Sequence, residues 1–227
     1  MPIMGNSVSP TRRQRPRGSI TREAVVFAAL AVVDRQGPQA LTIRSVARQV
    51  GAPPMSLYTH FANKDELMDL MVSEIVRHLY RDNGNATWQS ELEALCRRIY
   101  AVLLEHPNWT PLLSRAKPSS DAPVRERLLA MMVADGMRPE QALSVFSSAV
   151  VSTAGLVVAE HTLNGEAEQE RRYQNLKSWS ELAADSPVTR EAMASSGRFA
   201  MQEVFDVTLR SLVLGFEAMA REARLAT

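Results

Sequence analysis

Apolar positions recur along this chain with helical rather than strand spacing. After Thr21, a side chain suited to capping a helix, Val25, Phe27, Ala28, Leu30 and Val33 trace one run that stops at Gly37. Thr42 is placed to cap a short helix over 43–50, which Gly51 closes, and Pro54 fits the first turn of a third helix reaching about Phe61. A fourth helix is predicted to begin near 63–65 and to continue through Leu67, Leu70, Met71, Ile75 and Leu79. Beyond a break at 83–86, helices are expected over about 88–105, 108–115, 122–136, 139–163, 187–195 and 199–223, with Pro107, Pro111, Pro118, Pro123, Pro139 and Pro187 at or near their starts and connections. No stretch of useful length alternates with the two-residue period of a half-buried strand, and no internal repeat is found. The expected fold class is all-α.

Composition divides this helical chain into parts. Residues 1–18, with Pro2, Pro10, Pro16 and Gly18 among polar and basic residues, read as a flexible arm, and 164–186 as a long polar connection. The 227 residues are 45% hydrophobic and 22% charged, which speaks against global disorder. The longest apolar stretches, 25–33 and 149–159, fall short of a membrane span, so no membrane partner is expected. Arg12, Arg13, Arg15 and Arg17 precede no long apolar core or small-residue cleavage site, so the cytoplasm is the expected compartment. The one cysteine, Cys96, excludes an internal disulfide framework and a cysteine-rich zinc site.

A formal net charge of +1 hides an asymmetry. Residues 1–64 carry nine Lys or Arg against Glu23 and Asp34, a formal +7, and residues 65–227 carry −6. A basic head on an acidic body suits a head that meets a polyanion, although a charged arm that only aids solubility gives the same balance.

Residues 43–60 carry the chemistry. Ile43, Val46, Ala47, Val50, Ala52 and Leu57 would form the inner face of two short helices crossing at a tight turn, with Ala47 small at the crossing and Gly51 permissive in the turn. That is the spacing of a helix-turn-helix whose second helix enters the major groove, and also that of an ordinary helical hairpin. The outward residues of the second helix are Met55, Ser56, Tyr58 and Thr59, with His60 near its end; hydroxyls and an aromatic ring without an acid suit a phosphate-lined groove.

Residues 24–75 resemble the DNA-binding domain of the tetracycline-repressor (TetR) family of bacterial transcription regulators. The resemblance is carried by Asp34-Arg35-Gln36-Gly37, Leu41-Thr42-Ile43-Arg44-Ser45-Val46-Ala47, Val50-Gly51-Ala52, Leu57-Tyr58-Thr59-His60-Phe61 and Asn63-Lys64-Asp65-Glu66-Leu67. It continues more weakly through Trp88-Gln89-Ser90, His106-Pro107-Asn108-Trp109, 136–140 and 205–215. The resemblance implies a DNA-binding domain over 19–64 and a ligand-binding and dimerisation domain over 65–227. In the head it implies base or phosphate contact by Arg44, a groove lining of Pro54, Met55, Ser56 and Thr59, and phosphate contacts by Tyr58, His60 and Lys64. Ile43 stands where the tetracycline repressor has a hydroxyl, and Pro54-Met55 replaces a base-reading Gln-Pro pair, so a different operator sequence is expected. The arginine-rich arm either reaches an adjacent minor groove or is a disordered tail.

For the body the resemblance implies an unidentified small-molecule effector whose binding moves the fourth helix. The expected contacts are Tyr100, Leu103, Trp109, Leu113, Met131, Phe146, Val150 and His161, within a wider apolar set that includes Trp88, Ile99, Leu112 and Met132. No metal or other cofactor is expected. Where the tetracycline repressor holds drug-bound magnesium with a histidine, this chain has Pro111, and His60, His78, His106 and His161 lack cluster spacing. Pairing into a homodimer is expected through helix 139–163, at Ser148, Ser152 and Gly155, and helix 199–223, at Phe205, Leu209, Leu212 and Phe216.

Enzymatic motifs are missing: no Gly-rich phosphate loop, no Gly-x-Ser-x-Gly elbow and no His-Glu-x-x-His helix occur. The sequence therefore reads as a ligand-responsive regulator that binds double-stranded operator DNA, a repressor in the first instance. Its alternatives are an activator of the same family and a helical binding or adaptor protein with a degenerate head.

Overall fold

The computed structural model describes residues 20–81, 84, 86–116, 122–163, 186–188, 190–191 and 201–225. The basic arm, nearly all of the 164–186 connection and much of the helix expected over 187–195 lie outside the described residues.

Helix α1 (Arg22–Gln36) starts where Thr21 accepts from the Ala24 amide at 3.1 Å and ends at Gly37, whose φ of 80° lies in the left-handed region. Its buried residues include Val25, Ala29, Leu30 and Val33. Helix α2 (Ile43–Val50) begins with a reciprocal cap: the Ser45 amide donates to the Thr42 hydroxyl at 3.0 Å, and the Thr42 amide to the Ser45 hydroxyl at 2.9 Å. Gly51 closes α2 at φ 79°, bonding back to the Ala47 carbonyl. Helix α3 (Pro54–Leu57) is shorter than the sequence suggests: regular helix stops at Leu57 instead of near Phe61. Ser56 and Thr59 donate their hydroxyls to the Pro53 and Ser56 carbonyls, and His60 bonds Leu57 in a tight turn, so side chains and turns take over the acceptors of a continuing helix.

Helix α4 (Lys64–Leu79) is capped by Asn63, which accepts from the Glu66 amide at 2.9 Å. Its buried side, Leu67, Met71, Val72, Ile75, Val76 and Leu79, runs from the head into the body. There α5 (Trp88–Glu105) is the central element, packed against α4, α6 (Ala122–Ala134), α7 (Pro139–Leu163) and α8 (Met201–Leu225). Pro107–Arg115, expected as an ordinary helix from 108, is a 3-10 helix, consistent with Pro111 lacking the N–H that α-helical bonding there requires. Head and body share one contiguous core from Val25 to Ala220.

One helix is more apolar than its uninterrupted runs suggest. Helix Pro139–Thr162, 24 residues long, contains an 18-residue stretch of mean hydropathy 1.9, enough by length and composition alone to cross a membrane. Reading uninterrupted apolar runs missed this, because Ser and Thr break the runs while lowering the mean only modestly. A third of that stretch is buried against α5, α6 and α8, and Leu143, Val151 and Val158 remain exposed.

Candidate nucleic-acid interface and effector cavity

The head presents a surface built on buried anchors. Val46, Ala47, Leu57 and Phe61 are buried and hold α3 across α2. With those anchors inside, Arg44, Pro54, Met55, Tyr58, Thr59 and Lys64 are exposed, and Ser56 and His60 are half-exposed. All eight expected DNA contacts thus lie in one short stretch of surface-accessible chain. The Tyr58 ring leans on Phe61 at 5.9 Å between centroids. Arg22 ties this region to α1: its Nε donates to the His60 carbonyl at 2.9 Å, and its guanidinium lies 3.6 Å from Glu66. Glu66 also accepts from the Ala62 amide at 2.6 Å, fixing the turn between α3 and α4. The neighbouring Glu23 carboxyl is held below its ordinary range by its own backbone amide and by Thr21.

In the body a cavity of about 360 Å³ opens between α4, α5, α7 and the 3-10 helix. Three of the expected effector contacts, Leu103, Leu113 and Val150, line it together with Ile99, Ala116, Val151 and Ala154. Arg125 puts one cation on its wall. The other expected contacts lie elsewhere. Tyr100 stacks on Phe205 at 4.0 Å and donates its hydroxyl to Glu160; burial, with Glu160 acting in the same direction, raises its pKa. Trp109 stacks on His106 at 3.9 Å, and His161 Nε2 donates to the Leu103 carbonyl at 3.0 Å. Phe146 is one contact removed, its ring 6.2 Å from that of Tyr80, and Met131 is half-buried on α6.

Sequence reasoning missed the cavity's floor, which is Val76, Leu79 and Tyr80 at the far end of α4. Their signal was present: the apolar period of α4 runs on past Ile75, farther than a three-helix head needs. His78, between them in sequence, is kept neutral to lower pH, first by burial and then by Arg81 and His106. Among the described residues, no three of His, Cys, Asp and Glu gather as a metal-holding group.

The model of the tetracyclin repressor-like C-terminal domain matches residues 81–220, and that of the bacterial regulatory proteins of the tetR family matches residues 26–71. The chain belongs to the TetR family. It is a ligand-responsive, DNA-binding transcription regulator. The HTH-type transcriptional repressor DrrR1 of Streptomyces coeruleorubidus is 29% identical over 192 residues, covering 81% of this chain and 68% of that protein. The class E tetracycline repressor protein of Escherichia coli is 25% identical over 209 residues, covering 90% and 94%. Among solved structures, apo ActR from Streptomyces coelicolor has the same fold, with a TM-score of 0.72 over 91% of this chain and 99% of that one at 21% identity.

The expected pairing residues of this TetR-family regulator divide in two. Phe205, Leu209 and Phe216 are buried within a single chain and Leu212 is half-buried, so on α8 the exposed face is a different one: Val207, Ser211, Leu214 and Ala218. On α7, Ser148 and Gly155 are exposed and Ser152 is half-buried. The exposed residues Ser144, Ser148, Val151, Gly155, Val158 and Thr162 follow an alternating four-and-three spacing.

Proposed function

We propose that this protein is a cytoplasmic homodimeric repressor, released from a palindromic operator by a small, largely apolar molecule that binds without an obligatory metal. One observation carries this reading. The 16-residue helix α4 supplies the cavity's floor at one end and Lys64, at the edge of the DNA-facing surface, at the other. A helix of that length spans about 24 Å as one stiff piece. A ligand that displaces Val76, Leu79 or Tyr80 therefore tilts the head, and only the state with the right head spacing fits DNA.

Two exposed helical faces support the dimer. Gly155 and Gly215 both face open space within the chain, so no contact inside one protomer calls for glycine there. Close approach of partner helices does, and α7 and α8 pairing with their symmetry mates would cover Val151, Val158, Val207 and Leu214. Two heads so joined read half-sites about 34–36 Å apart, or a multiple of that. The solved complex of ActR with actinorhodin, a protein of this fold, supports a small-molecule effector for the body.

The test is a gel shift with DNA flanking the protein's own gene, titrated with candidate effectors in excess chelator. Release in chelator is the expected result. Strict dependence on magnesium, or shift without any effector response, overturns the corresponding part of the reading.

A further inference from the structure

We infer that the leading edge of α3 reads its operator through thymine methyl groups, with Met55 as the residue that sets base preference; this rests on the operator-binding role proposed above. The tip of α3 has little to offer a hydrogen-bonding base edge. Pro53 and Pro54 are exposed and have neither an N–H nor a polar side-chain atom. Ser56 spends its hydroxyl proton on the Pro53 carbonyl at 2.6 Å, and Thr59 spends its own on the Ser56 carbonyl at 2.8 Å. Just ahead of them stands Met55, 75% exposed, the most exposed large apolar side chain among the described residues of the head. It contributes next to nothing to the core, so the stability of the fold does not account for it.

The major groove offers such a tip few matches. Guanine presents only acceptors, which this tip cannot serve with side-chain donors; the Ser56 and Thr59 oxygens can still accept from the amino groups of adenine or cytosine, but neither base offers Met55 an apolar group. Thymine alone adds a methyl. Methionine, long, unbranched and polarizable, packs against that methyl from more than one approach. An A·T pair with its methyl toward Met55 is therefore the favoured partner at this position, and a G·C pair the disfavoured one. Arg44 and Tyr58, exposed to either side in sequence, supply charge and a hydroxyl for the flanking contacts.

The experiment begins with full-length protein and a random duplex library, from which an operator is enriched. Thymines in the enriched duplex are then replaced by deoxyuridine, one symmetry-related pair at a time, which removes the methyl and nothing else. At one pair of positions affinity is expected to fall about fourfold for each methyl lost. Met55→Ala should bind the thymine and uridine duplexes equally, and being an exposed substitution it leaves the head folded. A C·G pair placed there should regain affinity when the cytosine carries a 5-methyl group. A flat uridine scan, or a uridine effect undiminished in Met55→Ala, overturns the inference while leaving the operator role standing. A library from which nothing is enriched overturns the operator role itself, and the inference with it.

Discussion

Asp34, near the end of α1, and His106, between α5 and the 3-10 helix, meet across 3.1 Å and join the head to the body. The Asn108 side-chain amide donates to the Asp34 carbonyl at 3.0 Å, and Trp109 stacks on the His106 ring. The same joint holds three buried polar atoms without a hydrogen-bond partner among the described residues: Asp34 Oδ1, Trp109 Nε1 and Thr110 Oγ1. A buried hydroxyl of this kind costs free energy that an isosteric methyl does not. Thr110→Val should therefore stabilise the protein by about 1 kcal/mol, read as a higher Tm. A lower Tm would mean that the hydroxyl finds a partner in solution.

Contacts to DNA give the second prediction. Arg44→Ala and Tyr58→Ala, both at exposed positions, should each weaken operator binding by about 1–3 kcal/mol with the circular dichroism spectrum unchanged. Lys64→Ala should lower affinity on all sequences alike and reduce the slope of log affinity against log salt by about 1. If Arg44→Ala and Tyr58→Ala both bind like the parent, the surface assigned to DNA is the wrong one.

For the dimer, the informative variant is Val151→Asp combined with Leu214→Asp, since these side chains are 70% and 58% exposed in one chain. Charges there need not disturb the protomer's interior, whereas at Leu209, only 3% exposed, they would. Light scattering should show a folded monomer that no longer shifts operator DNA. A variant that remains a dimer refutes the proposed faces.

How far the sequence disclosed this structure depended on whether a feature is local. Capping and turn signals are local, and Thr21, Thr42, Gly37 and Gly51 marked the ends of α1 and α2 where the structure has them. The truncation of α3 was less visible, because it arises from Ser56 and Thr59 bonding their own backbone, a competition that hydrophobic spacing does not register. On α8 the apolar stripe was legible but its destination was not. Phe205 and Leu209 are equally suited to a partner's helix or to α5 and α7, and only the folded chain shows them turned inward. The cavity's floor was hidden for a related reason: the apolar positions of α4 were legible, but only the folded chain brings Val76, Leu79 and Tyr80 against α5, α7 and the 3-10 helix around one space.

Filling the cavity should reproduce the action of a bound effector. Val150→Trp places bulk in the space of about 360 Å³ without altering any residue of the head. Since occupancy of this space is what tilts α4 in the proposed mechanism, operator affinity is expected to fall without effector, and added effector to change it no further. Release at the parent's effector concentration would place the binding site elsewhere.

Burial supplies an alkaline signature. The Cys96 thiol is pushed up to about 11 from an ordinary 9.0, mainly by desolvation. The folded chain therefore keeps its proton where the unfolded chain gives it up, so the associated stability is intact below about 9 and is lost as the pH climbs toward about 11. Denaturant melts across that range should show a steeper loss for the parent than for Cys96→Ala. Parallel curves would mean that the thiol is more solvated than its position among Leu92, Leu95 and Ile99 implies.

In the proposed mechanism a single stiff helix carries both the cavity's floor and Lys64, so influence passes along α4 in both directions and with equal strength. A dimer seated on its operator is then a poorer receptor than a dimer free in the cell, by the same factor by which the effector loosens the operator. Copies away from the DNA fill first and act as a buffer, and the controlled gene stays shut until that surplus is saturated. The abundance of the regulator, as much as any side chain in the cavity, thereby sets the dose at which transcription begins.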